Sequence, residues 1–160
     1  MVALVQAAQL EPITRETVLG LLNRMAPSRT EQGVRYMAAW CRQNMRLINE
    51  PFEILQPPAW LLEEIASGRR PWGDCDDMTM LLSSLTVGAG LHTQIVAIRP
   101  PDDPEFRHVF PEVWLDGFWI PMDATSRRTG SRDFRWRGSP ICRRVATRGR
   151  RTLPEIRRRV

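Results

Sequence analysis

The feature that most constrains the fold is the segment 107–123, in which two runs rich in apolar residues flank Asp116-Gly117. An Asp-Gly pair between such runs is a strong signal for a two-residue hairpin turn. It predicts two antiparallel strands over 107–115 and 118–123. The preceding segment 93–99 is β-branched and apolar, which is typical of a third strand.

The predicted hairpin sorts its side chains into two faces, because alternate residues of a strand point to opposite sides. Leu115 then faces Phe118, and Val113 faces Ile120. One face is wholly apolar and must meet a core: Val109, Pro111, Val113, Leu115, Phe118, Ile120 and Met122. The opposite face carries His108, Phe110, Glu112, Trp114, Trp119, Pro121 and Asp123. His108 and Asp123 become diagonal neighbours at roughly 7–8 Å between backbones, a separation that two polar side chains can bridge.

Helical periodicity dominates the first half of the chain. Apolar residues recur at helical spacing over 14–25, with Thr14 as a capping residue, over 31–48 and over 59–66. A further helix begins at Cys75, with Asp74 as its N-cap and Asp77 placed to reach back to the cap amide. The predicted class is α+β, with N-terminal helices and a cysteine-bearing helix packed on a small antiparallel sheet.

Cys75 lies in the first turn of this helix and on its apolar stripe. A helix N-terminus stabilises a thiolate, the reactive form of cysteine. The neighbouring Asp74, Asp76 and Asp77 oppose the thiolate because they carry like charge, so an imidazolium of His108 would have to outweigh them. For an isolated cysteine, a buried structural thiol is the commoner alternative.

The segments Gly73-Asp74-Cys75-Asp76-Asp77, His108-Val109-Phe110 and Asp123-Ala124-Thr125 resemble the transglutaminase-like superfamily, in order and spacing, over residues 53–125. The short bacterial and bacteriophage members are similar to this chain in particular. The resemblance implies a papain-like core, no cofactor, and acyl transfer at a peptide or protein amide. It implies Cys75 as nucleophile, His108 as base and acid, and Asp123 as the orienting carboxylate. A thioester would be resolved by water or by an amine.

An oxyanion formed in such a reaction needs two hydrogen-bond donors. The Cys75 backbone amide is one candidate, and Trp72 or Gln56 is the other. Trp114 and Trp119 share the predicted face of His108 and Asp123, where they either line a substrate cleft or belong to the core.

The balance of acidic and basic residues changes after residue 126. Residues 127–160 contain 13 arginines and two acids, whereas residues 1–126 hold 16 of the 18 acids. We therefore predict a transglutaminase-like domain over 1–126 and an arginine-rich tail over 127–160. The tail is a solvated arm, a nucleic-acid-binding segment with Trp136 as a stacking residue, or a docking segment for an acidic protein. The arginines predicted to contact such a partner are Arg127, Arg128, Arg143, Arg144, Arg150 and Arg151. The alternative function is a structural or assembly protein, for example of a phage particle, that retains the fold.

Composition argues against several other classes. No run reaches the ~20 apolar residues of a membrane span, and no signal peptide is evident. Three widely spaced cysteines do not form a disulfide framework. Two histidines without paired cysteines make a poor metal site, and a chain without lysine has no Walker-type phosphate loop. We expect cytoplasmic synthesis, with incorporation into a virion or another large assembly left open.

Overall fold

The computed structural model describes residues 1–24, 30–48, 54–99, 102–126 and 141–147. These residues form five helices, α1 (Val2–Ala8), α2 (Pro12–Leu22), α3 (Glu31–Asn44), α4 (Pro58–Ala66) and α5 (Cys75–Gly88). Their strands are β1 (Arg46–Leu47), β2 (Trp72–Gly73), β3 (His92–Arg99), β4 (His108–Leu115), β5 (Phe118–Pro121) and β6 (Ile141–Ala146). The predicted α+β class is confirmed. Within these ranges, no helix combines the length and hydropathy needed to cross a membrane.

Four strands form an antiparallel sheet in the order β5-β4-β3-β6. The β4–β5 hairpin has the predicted register, with Leu115 opposite Phe118. Asp116 and Gly117 have φ angles of 48° and 87°. Two consecutive positive φ angles give a turn whose twist matches that of the flanking strands. β1 and β2 pair in parallel as a separate two-stranded sheet, which joins the end of α3 to the loop before α5.

α5 lies at the centre of the fold. Its residues from Asp77 to Val87 are all buried, because the other four helices and strands β3 and β4 pack around it. The largest hydrophobic cluster joins Leu82 of α5 to Val113, Ile120 and Met122. The apolar face of the predicted hairpin therefore does meet a core.

Burial is not confined to the apolar face of the hairpin, and it does not include every residue of that face. Phe118 was assigned to the core face but is 53% exposed, since it directly follows the turn. On the opposite face, Phe110 is buried with Val96 and Ile98 in a cluster of its own. Both sides of the sheet are therefore covered near the centre of β4.

Three helices differ from the prediction. α1 was not predicted. α2 begins at Pro12 and not at Thr14, which is buried inside the helix; proline suits this position because the first N–H groups of a helix have no intrahelical partner. α3 is capped by Thr30, whose hydroxyl accepts from the Gly33 N–H, and it ends at Asn44 instead of residue 48. The residues that follow are extended because they form β1.

β6 lies within the segment that the sequence analysis assigned to a tail. It pairs along its whole length with β3, from Gln94 opposite Ala146 to Arg99 opposite Ile141. The Arg144 Nε donates to the carboxylate of Glu112, a buried residue of β4, at 3.1 Å. Six residues of the predicted tail therefore belong to the sheet. Residues 127–140 and 148–160 lie outside the described residues, so the remainder of the tail stays a prediction.

Candidate active site

Cys75 is the first residue of α5. Asp74 is the N-cap, as predicted, and its Oδ1 accepts from the Asp76 N–H at 2.9 Å. The Cys75 sulfur interacts with the Val109 backbone of β4, and its thiol donates to Asp76 Oδ1 at 3.9 Å. One helical turn later, the Thr79 hydroxyl donates to the Val109 carbonyl at 3.0 Å. Two contacts to one strand residue fix the position of the helix start relative to β4.

His108, the residue that precedes Val109 in β4, is in contact with Asp123. The Nε2 atom of His108 lies 2.9 Å from Oδ2 of Asp123, whose side chain is 1% exposed. β5 ends at Pro121, and the chain then turns so that the Thr125 N–H and hydroxyl donate to Asp123 Oδ1 at 2.8 and 2.6 Å. The two side chains that the hairpin register made diagonal neighbours are thus in direct contact.

The electrostatics of this pair keep the carboxylate ionised. Burial by itself raises the pKa of Asp123. The hydrogen bond and charge of His108 and the hydrogen bonds from Thr125 lower this pKa by more than burial raises it, so it lies below its usual value. The His108 ring also stacks on Phe110, with ring centroids 6.0 Å apart. Both contacts restrict the orientation of the imidazole.

Cys75 and His108 line the same cavity, which has a volume of about 350 Å³. The remaining described lining residues are Met1, Val2, Asp74, Asp76, Ile95, Ala97, Phe106, Arg107, Val109, Arg143 and Val145. Burial raises the pKa of Cys75 to about 12; the hydrogen bond with Val109 lowers it, and Asp76 and Asp74 raise it further. Burial is therefore the main reason that the pKa of this thiol is raised, and the acidic neighbours expected from the sequence to oppose a thiolate add to its effect.

A buried carboxylate anchors the loop that leads to Cys75. Asp77 is 0% exposed and accepts from the Gln56 N–H at 2.8 Å and from Gln56 Nε2 at 2.9 Å. It also interacts with the Asp74 backbone, as the spacing predicted. Burial raises the pKa of Asp77, while the hydrogen bonds from Gln56 oppose the rise. Gln56 Nε2 also donates to the Trp72 carbonyl at 2.9 Å. One side-chain amide therefore connects Trp72, before Cys75, with Asp77, after it.

Similarity to known proteins identifies the superfamily of the chain. The sequence model of the transglutaminase-like superfamily matches residues 20–124. The chain belongs to the transglutaminase-like superfamily. Comparison with curated protein sequences gave no significant match.

Two solved structures share the superfamily fold seen here. A candidate cysteine protease from Cytophaga hutchinsonii matches with a TM-score of 0.54 and 17% identity, over 72% of this chain and 37% of its own. A candidate protease from Parabacteroides distasonis matches with a TM-score of 0.56 and 13% identity, over 76% of this chain and 25% of its own. The chain thus corresponds to well under half the length of either protein, and at these identities the likeness establishes the fold alone.

The other residues considered for the oxyanion site or the substrate cleft lie outside the described cavity wall. Both hydrogens of the Gln56 amide are engaged by Trp72 and Asp77, so this amide is not placed as a second oxyanion donor. Trp72 is half exposed and lines no part of the cavity among the described residues. Trp114 and Trp119 pack edge to face at 5.3 Å and are likewise absent from its described wall.

The predicted partner-binding arginines separate into two groups. Arg127, Arg128, Arg150 and Arg151 lie outside the described residues. Arg144 pairs with Glu112, whereas Arg143 lines the cavity of Cys75. Arg143 follows the segment matched by the superfamily, and the sequence analysis did not connect it to the site. Its alternation with Val145 on a strand was the signal that would have placed both on one face.

One set of potential metal ligands occurs among the described residues. Asp74, Cys75 and Asp76 present ligand atoms within 4.8 Å of one another. The set consists of three consecutive residues at a helix start, and its sulfur belongs to a thiol whose pKa is raised by burial. A protonated thiol is a poor metal ligand, since metals bind the thiolate. The absence of a metal remains a prediction.

Proposed function

We propose that the protein is a cysteine-dependent amide hydrolase or acyl transferase that acts on peptide or protein amides. The observation that carries the proposal is the 2.9 Å contact between His108 and the buried Asp123 at a cavity that Cys75 also lines. A buried carboxylate that fixes one imidazole nitrogen orients the ring for proton transfer at the other. Membership in the superfamily and the protease-like fold support the same chemistry.

In the proposed reaction the Cys75 sulfur attacks the amide carbonyl carbon while the thiol proton passes to His108. Because Asp123 contacts Nε2, the proton exchange falls to Nδ1. The imidazolium then protonates the leaving amine as the C–N bond breaks, which leaves a thioester on Cys75. Water attacks the thioester and releases an acid, or a second amine attacks and forms a new amide. The Cys75 N–H, in the first turn of α5, is the proposed donor to the oxyanion.

The raised pKa of Cys75 distinguishes this proposal from one with a resting ion pair. With a pKa of about 12, the thiol is neutral at pH 7. The proton transfer to His108 then accompanies substrate binding and attack. When a substrate displaces solvent from the cavity, the thiol proton passes in this proposal to the imidazole that Asp123 orients, and not to Asp76.

The test is the cleavage of unfolded casein, with new peptide termini counted by mass spectrometry, in the presence and absence of a fluorescent primary amine. Hydrolysis gives free carboxyl termini, and transamidation gives the fluorescent adduct. Cys75→Ala should abolish either product, and His108→Ala should slow it by about 10²–10⁴-fold. Cys41→Ala is the matched control, because Cys41 is a buried thiol of α3 outside the described cavity wall. Equal turnover by the wild-type protein and Cys75→Ala would refute the proposal.

A structural or assembly role for the arginine-rich segment, in a phage particle or with nucleic acid, is the second proposal, and it rests on the composition of residues 127–160. A truncation after residue 126 would remove β6 and disturb the sheet. The informative truncation therefore ends after Thr147. It keeps β6 and removes six of the 13 arginines in this segment. Loss of nucleic-acid or partner binding with retained casein cleavage would assign the binding to these residues.

A further inference from the structure

Three residues from adjacent strands form one row of the cavity wall. Val109 of β4 pairs with Ala97 of β3, and Ala97 pairs with Arg143 of β6. All three line the cavity together with Cys75. Since neighbouring strands lie about 4.8 Å apart, the Arg143 backbone is about 10 Å from that of Val109, which contacts the Cys75 sulfur. The small Ala97 side chain leaves the space between the two ends of the row open.

Arg143 is the arginine of this wall that is available to a ligand. Arg107 also lines the cavity, but it is held by Asp103 at 2.6 Å and by Glu105 at 3.0 Å. Arg143 is exposed, and its guanidinium forms no ion pair or hydrogen bond with any residue in the described ranges. A guanidinium in this state offers its paired N–H groups to a carboxylate.

The two ends of the cavity carry opposite charge. Asp74 and Asp76 lie at the Cys75 end, at the start of α5, and Arg143 lies at the far end. Ile95 and Val145 add apolar wall next to Arg143. An anionic group is therefore repelled at the Cys75 end and attracted at the Arg143 end. This polarity orients any substrate that has a carboxylate on one side of its reacting amide.

We propose that the site selects amide substrates with a carboxylate one to three residues from the attacked carbonyl, and that Arg143 binds this carboxylate. The attack on a carbonyl rests on the proposed function, whereas the carboxylate site itself does not. An extended residue spans about 3.3–3.6 Å, so one to three residues match the length of the row once the reach of the arginine side chain is included. The carboxylate belongs either to an acidic side chain or to a free peptide C-terminus, which present the same chemistry.

The test uses alkylation of Cys75 and needs no turnover. The reagents are N-iodoacetyl-glutamic acid α-amide, N-iodoacetyl-glutamine α-amide, and N-iodoacetyl-glutamine with a free α-carboxylate. In each reaction the sulfur displaces iodide and the thiol proton goes to solvent. The rate at Cys75 is measured by peptide mass spectrometry, and each carboxylate reagent is compared with the neutral amide as a ratio. The ratio cancels changes in thiolate fraction, which a direct rate would not.

The variants are Arg143→Gln and the control Arg15→Gln, which removes the same charge from an exposed position of α2 outside the described cavity wall. At low salt, we expect at least one carboxylate-to-amide ratio to be roughly two- to fivefold higher in the wild-type protein than in Arg143→Gln, as for a partly exposed ion pair. Arg15→Gln should match the wild type, and high salt should reduce the difference. The reagent that responds identifies the acidic side chain or the free C-terminus as the source.

Equal ratios in all three proteins would overturn the carboxylate site. That outcome together with casein cleavage would leave the proposed function intact. A ratio that falls in Arg143→Gln, in a protein that neither cleaves nor transamidates casein, would instead keep the carboxylate site and count against the proposed function. The two proposals therefore fail separately.

Discussion

Replacement of Gly73 by alanine tests whether the buried Asp77 side chain fixes the position of the loop before Cys75. A Cβ at this position would lie 2.7 Å from both Cβ and Oδ2 of Asp77 and 3.0 Å from Cε of Met45. The methionine methyl is flexible and can move. The Asp77 side chain has no such freedom, because Gln56 holds its two oxygens at 2.8 and 2.9 Å and it is fully buried.

The magnitude follows from the two ways in which the clash can be relieved. Overpacking of a buried contact costs about 1–3 kcal/mol. Release of one hydrogen bond to a buried carboxylate costs about 1.5–3 kcal/mol. Alanine also restricts the unfolded chain, which returns about 0.4–1 kcal/mol. We expect Gly73→Ala to lower the free energy of unfolding by about 2 kcal/mol, equivalent to about 4–8 °C in Tm for a domain of this size.

The assay is urea unfolding at pH 7, followed by circular dichroism, with the alkylation rate of Cys75 measured on the same samples. Displacement of β2 moves Asp74 and Cys75, so the alkylation rate should change together with stability. Gly20→Ala is the matched control: a Cβ there meets nothing within 4 Å, and the position lies inside α2. Because alanine is the better helix former, this control should gain up to about 1 kcal/mol. A Gly73→Ala protein within about 0.5 kcal/mol of wild type would refute the argument that Gln56 fixes Asp77.

Two further predictions concern the buried thiols and β6. Burial raises the pKa of both Cys41 and Cys75 to about 12, so above the unfolded value of about 8.5 the folded state keeps protons that the unfolded chain has lost, and stability falls as pH rises toward 12. Cys41→Ala should reduce the slope of unfolding free energy against pH by up to about 1.4 kcal/mol per pH unit, measured by urea titrations between about pH 9 and pH 10; an unchanged slope would contradict the raised pKa of Cys41. Arg144→Gln removes the ion pair of the buried Glu112 and should cost about 1–2 kcal/mol, and the double variant with Glu112→Gln should recover part of this loss in the same assay. Additive effects of the two substitutions would show that the pair is not coupled.

Local signals account for the parts of the fold that the sequence predicts well. The Asp116-Gly117 turn sets a register that places His108 beside Asp123 without any knowledge of the rest of the chain. The Asp74 cap likewise marks the start of α5. Both inferences use residues that are neighbours in sequence or across a two-residue turn. Physical periodicity acts at that range, so pattern reasoning succeeds there.

The parts that the sequence did not predict depend on partners that are distant in the chain. Gln56 was considered as an oxyanion donor, but its contacts with Asp77 join residues that are 21 positions apart in the chain and become visible only in the folded structure. β6 lies in the segment 127–160, which combines many arginines with few apolar residues, so the composition of the segment resembled a solvated arm. Its stability comes from main-chain pairing with β3 and from the carboxylate of Glu112, neither of which leaves a local pattern.

The order of strands in the sheet has a consequence for the way the protein folds. β4 and β5 close across two residues, whereas β3 must find β6 across the whole of the β4–β5 hairpin and the segment after it. Pairing between segments that are far apart in the chain is slow, because the entropy of closing the loop is lost before any contact forms. We expect α5 and the β3–β4–β5 meander to assemble first and β6 to dock last. The strand that carries Arg143 would then complete the cavity only after Cys75, His108 and Asp123 have reached their places.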